Sequence, residues 1–230
     1  MARRLAYHGA TMRSDGHTTQ TGQRELLPGP AGAIELWLDA PAQVPHGIAL
    51  IAHPQPRLGG SAHHKIPVLL AKASRDLGWL AVRPNFRGVG DSAGSYDAGD
   101  GETADLLALL GQLQARQPGA PLALLGFSFG AYVQARVAAE LARRGDAARH
   151  VWLAGMPGGV VVDGQSYQPP ALPRGSVVVH GECDERVPLT ALLRWAEAAA
   201  QPVQVIAGAD HFFRGKLPLL RDALVAELAR

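Results

Sequence analysis

The stretch LALLGFSFGAYVQARVAAELARR (residues 122–144) predicts a buried strand, a tight turn and a helix in direct succession. Its opening residues form an apolar run of the length expected for a buried strand. After the turn, apolar residues recur on one face of a helix: Phe129, Tyr132, Val133, Val137 and Leu141. Gly126 and Gly130 leave room for a sharp change of direction, which would lift the hydroxyl of Ser128 clear of the strand end.

Short apolar runs and amphipathic helices alternate on both sides of this stretch. We predict strands over residues 33–39, 47–53, 79–83, 122–126, 150–154, 176–180 and 203–207. We predict helices near residues 64–77, 102–116, 129–144, 189–200 and 216–229. A leading hairpin followed by strand–helix units is typical of an α/β fold, with a mostly parallel, doubly wound sheet flanked by helices.

The domain organisation follows from the distribution of polar and apolar segments. Residues 1–25 are polar and lack periodicity, so we predict an N-terminal tail followed by a single domain over residues 26–230. Residues 155–175 read GMPGGVVVDGQSYQPPALPRG and separate two predicted strands. This segment is rich in Pro and Gly and too short for several helices, so we expect no cap domain over the site.

Charge and composition exclude several classes of protein. The 22 basic and 20 acidic residues are well mixed and form no basic stripe, which argues against nucleic-acid binding. No segment approaches the roughly 18 apolar residues of a membrane span, and no signal peptide is evident. We therefore expect a cytoplasmic monomer or homodimer. The single cysteine, Cys183, permits no internal disulfide, and we expect it to be a buried or half-buried filler.

The pattern G-x-S-x-G occurs twice, around Ser128 and around Ser92. It serves nucleophilic catalysis where a strand runs directly into it and a helix runs directly out. Ser128 meets both conditions, whereas Ser92 is separated from its strand and followed by more glycines. We predict Ser128 as the nucleophile, and a loop in which the Ser92 hydroxyl bonds to its own backbone.

A serine hydroxyl needs an imidazole to remove its proton, and the imidazole needs a carboxylate to orient it. In doubly wound hydrolases the acid and then the histidine follow the serine, each after a strand. His211 lies between the last predicted strand and the last helix. Asp184 follows the penultimate strand and is our predicted acid, with Glu182 and Glu185 as alternatives that the sequence leaves open.

Acyl transfer also requires donors for the carbonyl oxygen that becomes negative. The residue after the nucleophile, Phe129, supplies one backbone N–H. The second comes from the loop after an early strand, HPQPR (residues 53–57), in which the prolines have no N–H. We therefore predict Gln55 as the second donor, with Arg57 as the alternative.

Aromatic and histidine residues near these positions suggest the surroundings of the site. We predict that Phe127, Phe129, Phe212 and Phe213 line an apolar acyl pocket. His53, His63 and His64 have no Cys or carboxylate at ligand spacing, so we expect a hydrogen-bonded loop network and no metal. A loose G-x-G-x-x-A match at residues 88–93 neither follows a strand at once nor opens a helix, so we expect no dinucleotide cofactor.

Five stretches resemble small bacterial α/β hydrolases of the dienelactone-hydrolase-like and short-chain esterase branches. They are HPQPRLGGSAHHK (53–65), RPNFRGVGDSAGSYDAGDGETAD (83–105), GFSFGAYV (126–133), HGECDERVP (180–188) and GADHFF (208–213). The resemblance implies a lidless α/β-hydrolase fold and Ser-Asp-His hydrolysis without a cofactor. Dienelactone hydrolases carry cysteine at the elbow, where this chain has Ser128, which argues against that particular activity.

The function that these features predict is hydrolysis of small-molecule carboxylic esters with small acyl groups. A thioesterase or a serine peptidase remains an alternative, because the same three side chains cleave all three bonds. A hydrolase-like binding protein without turnover is a third hypothesis.

Overall fold

The structure is a computed structural model that describes residues 22–230. The predicted tail, residues 1–25, lies outside the described residues apart from its last four, of which three begin the first strand. The strands are β1 Gln23–Gly29, β2 Gly32–Asp39, β3 Gly47–Ala52, β4 Trp79–Pro84, β5 Leu122–Phe127, β6 His150–Ala154, β7 Gly159–Val160, β8 Ser166–Tyr167, β9 Val177–Gly181 and β10 Val203–Ile206. The α-helices are α1 Lys65–Asp76, α2 Asp100–Arg116, α3 Phe129–Arg143, α4 Leu189–Ala198 and α5 Leu217–Leu228.

Eight strands form the central sheet in the order β1-β2-β4-β3-β5-β6-β9-β10. The hairpin β1–β2 and the pair β2–β4 are antiparallel, and the remaining neighbours are parallel. This confirms the predicted α/β-hydrolase fold with a mostly parallel sheet. Because parallel strands have their carboxyl ends at one edge, the loops after β3, β5, β9 and β10 open at the same edge of the sheet.

Helices cover both faces of the sheet and bury two apolar layers. One layer contains the apolar faces of α2 and α3, including Leu109 and Val137, together with Leu192 of α4. The other contains residues of α1 and α5, including Leu70 and Leu224. Burial of each large aliphatic side chain contributes about 1.5–3 kcal/mol, so these layers fix the strands whose ends carry the site.

The segment between β6 and β9 contains no helix within the described residues. Instead, β7 and β8 pair as a small antiparallel hairpin, with Gly159 opposite Tyr167. Residues 22–230 contain no cap domain, as predicted, but the sequence did not predict this hairpin. Within residues 22–230, no helix is both long enough and apolar enough to cross a membrane.

Candidate active site

Ser128 occupies the turn between β5 and α3 with φ 56° and ψ −124°. A non-glycine residue at positive φ is strained by about 1–3 kcal/mol, so the surroundings must enforce this conformation. A side chain on Gly126 would lie 2.6 Å from Ala131 Cα, and one on Gly130 would lie 2.3 Å from Ala52 O. The two glycines therefore allow β3, β5 and α3 to approach closely enough to hold the turn.

His211 contacts both of the other side chains that the sequence predicts for the site. Its Nε2 lies 3.1 Å from Oγ of Ser128. Its Nδ1 lies 2.7 Å from Oδ2 of Asp184. The structure therefore brings Ser128, His211 and Asp184 together in hydrogen-bonding order, although His211 is 83 residues from Ser128 in the chain.

The pairing of β9 with β10 explains how Asp184 reaches His211. The two strands end side by side, with Gly181 opposite Ile206. Beyond the strands, the N–H of Cys183 donates to Ala209 O at 2.9 Å and ties the two loops together. The loops are therefore held in a fixed relation at the point where the carboxylate meets the imidazole.

The carboxylate of Asp184 is buried, and both of its oxygen atoms accept hydrogen bonds. Its Oδ1 accepts the backbone N–H groups of Arg186 and Val187 at 2.9 and 2.8 Å. Burial alone would raise the pKa of Asp184, but the hydrogen bond and charge of His211 and the N–H of Val187 outweigh it and lower the pKa below its ordinary value. Asp184 is therefore ionised at neutral pH and can orient the imidazole.

The alternative acids lie elsewhere in the same loops. Glu182 accepts the N–H of Gly208 at 2.8 Å, and Glu185 accepts the backbone N–H of His211 at 3.3 Å. Among the described residues, the imidazole ring of His211 bonds to Asp184 and to neither of these glutamates, and both glutamates are exposed. The neighbouring Cys183 is also exposed, which corrects the prediction of a buried or half-buried filler: its loop runs along the surface beyond the end of β9.

The predicted donors for the oxyanion both line the cavity that contains Ser128. The backbone N–H groups of Gln55 and Phe129 donate to no acceptor within residues 22–230, which leaves both free for a ligand. The N–H of the alternative, Arg57, is already bonded to Oε1 of Gln55 at 3.4 Å. The geometry therefore favours Gln55 over Arg57.

His53 holds the start of the Gln55 loop from within the core. Its Nδ1 donates to Pro54 O at 2.7 Å, and its Nε2 accepts the N–H of Phe86 at 3.0 Å. Burial lowers the pKa of His53 from 6.5 to about 3, so the ring is neutral at neutral pH. A neutral ring with one donor and one acceptor satisfies both backbone groups.

The cavity has a volume of 640 Å³ and is open to solvent. Its wall contains Phe129 and Phe212, as predicted, but not Phe127 or Phe213. Both of the latter are fully buried in the layer that α1 and α5 cover. The prediction of a pocket role for Phe127 and Phe213 is therefore wrong, because their side chains point into the sheet–helix interface.

A family model for the thioesterase domain matches residues 102–226, which is more than half of the chain. This chain belongs to the thioesterase domain family. A protein of Rickettsia prowazekii is 34% identical over 199 residues, which cover 82% of this chain and 81% of that protein. That relative is described only as uncharacterised.

Solved structures of similar proteins share the fold. An α/β serine hydrolase without a lid from Xanthomonas campestris is 38% identical, with 92% of this chain and 95% of that chain covered and a TM-score of 0.78. An α/β serine hydrolase homologue from Coxiella burnetii is 34% identical, with 92% and 100% covered and a TM-score of 0.76. The chain is thus an α/β hydrolase of serine-hydrolase type.

The thioesterase-domain match includes Ser128, Asp184 and His211 but ends short of the Gln55 loop. That loop sits beside the matched region because β3 pairs with β5, with Ala52 opposite Gly126. The site of this family member is therefore assembled from the matched region and one earlier loop.

Sequence reasoning missed a second histidine beneath the acid. His180, in β9, donates through Nε2 to Val187 O at 2.9 Å, and the same atom lies 3.4 Å from Oδ2 of Asp184. Burial lowers the pKa of His180, although the charge of Asp184 acts in the opposite direction. The neutral ring braces the loop that carries Asp184. The one available signal was a histidine inside an otherwise apolar strand, four residues before the acid.

The hairpin β7–β8 and His64 are further parts of the wall that the sequence did not predict. Val161, Val162 and Tyr167 of the hairpin region line the same cavity as Ser128 and His211. The phenol of Tyr167 accepts a hydrogen bond from the Gln55 side chain at 3.2 Å, which joins the hairpin to the Gln55 loop.

His64 is half-buried at the start of α1 and stacks on Phe127 with ring centroids 5.7 Å apart. Burial, and then the charges of Lys65 and His211, lower its pKa. Its Nδ1 accepts the N–H of Ile66 at 3.4 Å, so the neutral ring carries its proton on Nε2. Across residues 22–230, no three His, Cys, Asp or Glu side chains are grouped so as to hold a metal ion.

Proposed function

We propose that this chain is a serine hydrolase that cleaves carboxylic esters of small acyl groups through an acyl-enzyme. The observation that carries the proposal is the chain of contacts from Ser128 Oγ to His211 Nε2 and from His211 Nδ1 to Asp184 Oδ2, at 3.1 and 2.7 Å. Both distances are within hydrogen-bonding reach, so the serine proton has an acceptor and the acceptor has an orienting carboxylate.

In the first half-reaction, Ser128 Oγ forms a bond to the acyl carbon as its proton passes to Nε2 of His211. The carbonyl oxygen becomes negative and is bound by the N–H groups of Gln55 and Phe129. Each such donor is worth roughly 3–4 kcal/mol in the transition state. When the tetrahedral intermediate collapses, the bond to the leaving oxygen breaks, and that oxygen takes the proton from His211.

In the second half-reaction, water replaces the departed alcohol. His211 accepts one proton from the water as its oxygen bonds to the acyl carbon, and returns that proton to Ser128 as the acid is released. Asp184 remains ionised throughout and stabilises the imidazolium form of His211. This cycle consumes only water and the ester, and the chain's own residues carry every proton.

The surroundings of Phe129 support a small acyl group. The ring is buried against the rings of Phe86, Tyr96, Tyr132 and Tyr167, with centroids 5.4 to 6.4 Å away. Because these rings fill the space behind Phe129, little depth is left beyond Ser128 on that side. We expect turnover of aryl esters to fall for acyl chains longer than butyrate.

Hydrolysis of thioesters is the second candidate, and the match to the thioesterase domain family favours it. A thioester has the same carbonyl and a better leaving group, so the same residues act in the same order. Parallel assays on a butyrate ester and a butyrate thioester decide between the two, because the preferred bond has the larger kcat/KM. Cytoplasmic location and a monomeric or homodimeric state remain predictions.

Labelling with a fluorophosphonate tests the proposal directly, since the reagent forms a covalent adduct only with an activated serine. We expect one adduct, mapped by mass spectrometry to the peptide that contains Ser128, and loss of ester hydrolysis in proportion to labelling. Folded protein without an adduct, or with its adduct on Ser92, would contradict the proposal. The first result would favour a binding protein without turnover.

A further inference from the structure

Three cationic side chains converge on the ring of Phe212. The Nζ of Lys65 lies 5.5 Å from the ring centroid, and the guanidinium carbons of Arg186 and Arg214 lie 5.1 and 5.4 Å from it. Phe212 is part of the cavity wall, and so is Arg186. The three cations come from the start of α1 and from the loops after β9 and β10, so the fold gathers them at one side of the cavity.

The charges in this cluster are not balanced within the described part of the chain. Arg214 is paired with Asp210 at 3.0 Å. Lys65 and Arg186 form no ion pair with any residue in 22–230. The aromatic face attracts each cation, but it does not cancel their mutual repulsion.

One carboxylate adjoins the cluster without neutralising it. Glu185 lines the cavity next to Arg186, and its Oε2 accepts the backbone N–H of His211 at 3.3 Å. A second lining carboxylate, Asp163, belongs to the hairpin region, and its Oδ1 accepts the N–H of Gln165 at 3.1 Å. Around Phe212, the three cations therefore meet two carboxylates, Asp210 and Glu185, and only Arg214 forms an ion pair within residues 22–230.

The position of the cluster indicates which part of a substrate would meet it. Phe212 adjoins His211, whose Nε2 delivers the proton to the leaving oxygen or sulfur. The wall also contains Gln55 and Phe129, the proposed oxyanion donors, and residues of the hairpin region. A leaving group that takes its proton from His211 would therefore lie near Phe212 and the cations around it.

We propose that the alcohol or thiol released by this hydrolase carries a negatively charged group, bound by Lys65 and Arg186 beside Phe212. The inference rests on the proposed function, because it assigns the leaving-group side of the same site. An anion there would relieve the repulsion between the two unpaired cations. It would bind in the Michaelis complex and in the transition state alike, so its effect would fall mainly on KM.

The test compares two butyrate esters that differ in one charge, those of para-nitrophenol and of para-nitrophenol bearing a ring carboxylate. The readout is the ratio of kcat/KM for the anionic ester to that for the neutral ester, measured at low salt. We expect the double variant K65A/R186A to lower this ratio about tenfold, since each exposed cation contributes about threefold at such distances. Added salt should lower the ratio for the unmodified protein in the same direction, because it screens exposed charges.

Arg174→Ala is the matched control. Arg174 is exposed and precedes β9, so it lies at the opposite edge of the sheet from the cavity, and its removal changes the net charge without touching the cluster. We expect this variant to leave the ratio unchanged. Equal ratios in the unmodified protein and in K65A/R186A, with both esters cleaved, would overturn the anionic leaving group alone. Cleavage of neither ester by the unmodified protein would overturn the proposed function and this inference with it.

Discussion

Two segments of this protein share the pattern G-x-S-x-G and use it in opposite ways. In residues 126–130, the serine hydroxyl lies 3.1 Å from His211 Nε2 and faces a cavity. In residues 90–94, the hydroxyl of Ser92 donates to Asn85 O at 2.8 Å and accepts the N–H of Glu35 at 3.0 Å. The Ser128 hydroxyl is therefore available to a ligand in the cavity, whereas the Ser92 hydroxyl is hydrogen-bonded to two backbone groups.

The glycines of the two segments also serve different contacts. A side chain on Gly130 would lie 2.3 Å from Ala52 O, so this glycine lets a helix start against the end of β3. A side chain on Gly90 would lie 2.1 Å from Oε2 of Glu35, so this glycine admits a buried carboxylate. The same small residue thus permits the strand–helix turn at Ser128 in one place and a loop around a buried carboxylate in the other. The five-residue pattern alone therefore does not indicate a function. The strand before it and the helix after it distinguish one copy from the other.

The largest expected effect separates the two serines by activity. We expect Ser128→Ala to lower kcat for butyrate esters about ten-thousandfold or more, because it removes the atom that forms the acyl-enzyme. Ser92→Ala should leave kcat within about threefold, since that hydroxyl touches no reacting group. Initial rates on both purified variants provide the measurement. A strong loss of kcat in folded Ser92→Ala would contradict the assignment of different roles to the two serines.

The next largest effect concerns the backbone N–H of Gln55, which lies in the same cavity wall as Ser128. Gln55→Pro removes one N–H from the proposed oxyanion site, and the native φ of −50° is close to that of proline. We expect kcat to fall roughly a hundredfold to a thousandfold relative to Gln55→Ala, which keeps the N–H and loses only the side chain. Equal kcat values for the two variants would exclude Gln55 as the donor.

A smaller effect concerns the free energy of unfolding, for which we expect Ser92 to matter more than Ser128. Ser92→Ala leaves Asn85 O and the N–H of Glu35 buried without their partner, and we expect a loss of about 2 kcal/mol in the free energy of unfolding. Ser128→Ala should change that free energy by less than about 0.5 kcal/mol, because the lost bond is to a partly exposed site. Urea denaturation of both variants measures the difference. Similar losses in both would show that the two hydroxyls are equally structural.

The smallest effect is expected at His53, which joins the Gln55 loop to Phe86, four residues before the second segment. Its pKa is about 3 in the folded protein and about 6.5 when unfolded, so only the unfolded chain binds the proton between these values. Stability from this group is therefore complete above pH 6.5 and falls as the pH drops towards 3. Between pH 7.5 and 5.5 we expect the unmodified protein to lose about 1.4 kcal/mol more than His53→Gln. Urea midpoints at the two pH values provide the measurement, and parallel pH dependences would contradict it.

Much of this fold was predictable because its signals are local. The apolar face of α3, from Phe129 to Leu141, follows from helical periodicity, and α3 ends within one residue of the predicted boundary. The hairpin β7–β8 was missed because each of its strands has two residues, too few to show an alternation. The wrong assignment of Phe127 and Phe213 has a similar cause, since an aromatic residue beside a catalytic position can face either the cavity or the core.

The sequence by itself determined the α/β architecture, and it predicted Ser128 rather than Ser92 as the nucleophile, followed in the chain by Asp184 and His211. These inferences depend on what precedes and follows a residue in the chain, and such local patterns can be read without knowing any long-range contact. The tertiary structure decided which carboxylate meets the imidazole, that His180 lies behind it, and that cations from three separate elements surround Phe212. The direction of a loop side chain is set by residues far away in sequence, so only the packed chain defines it.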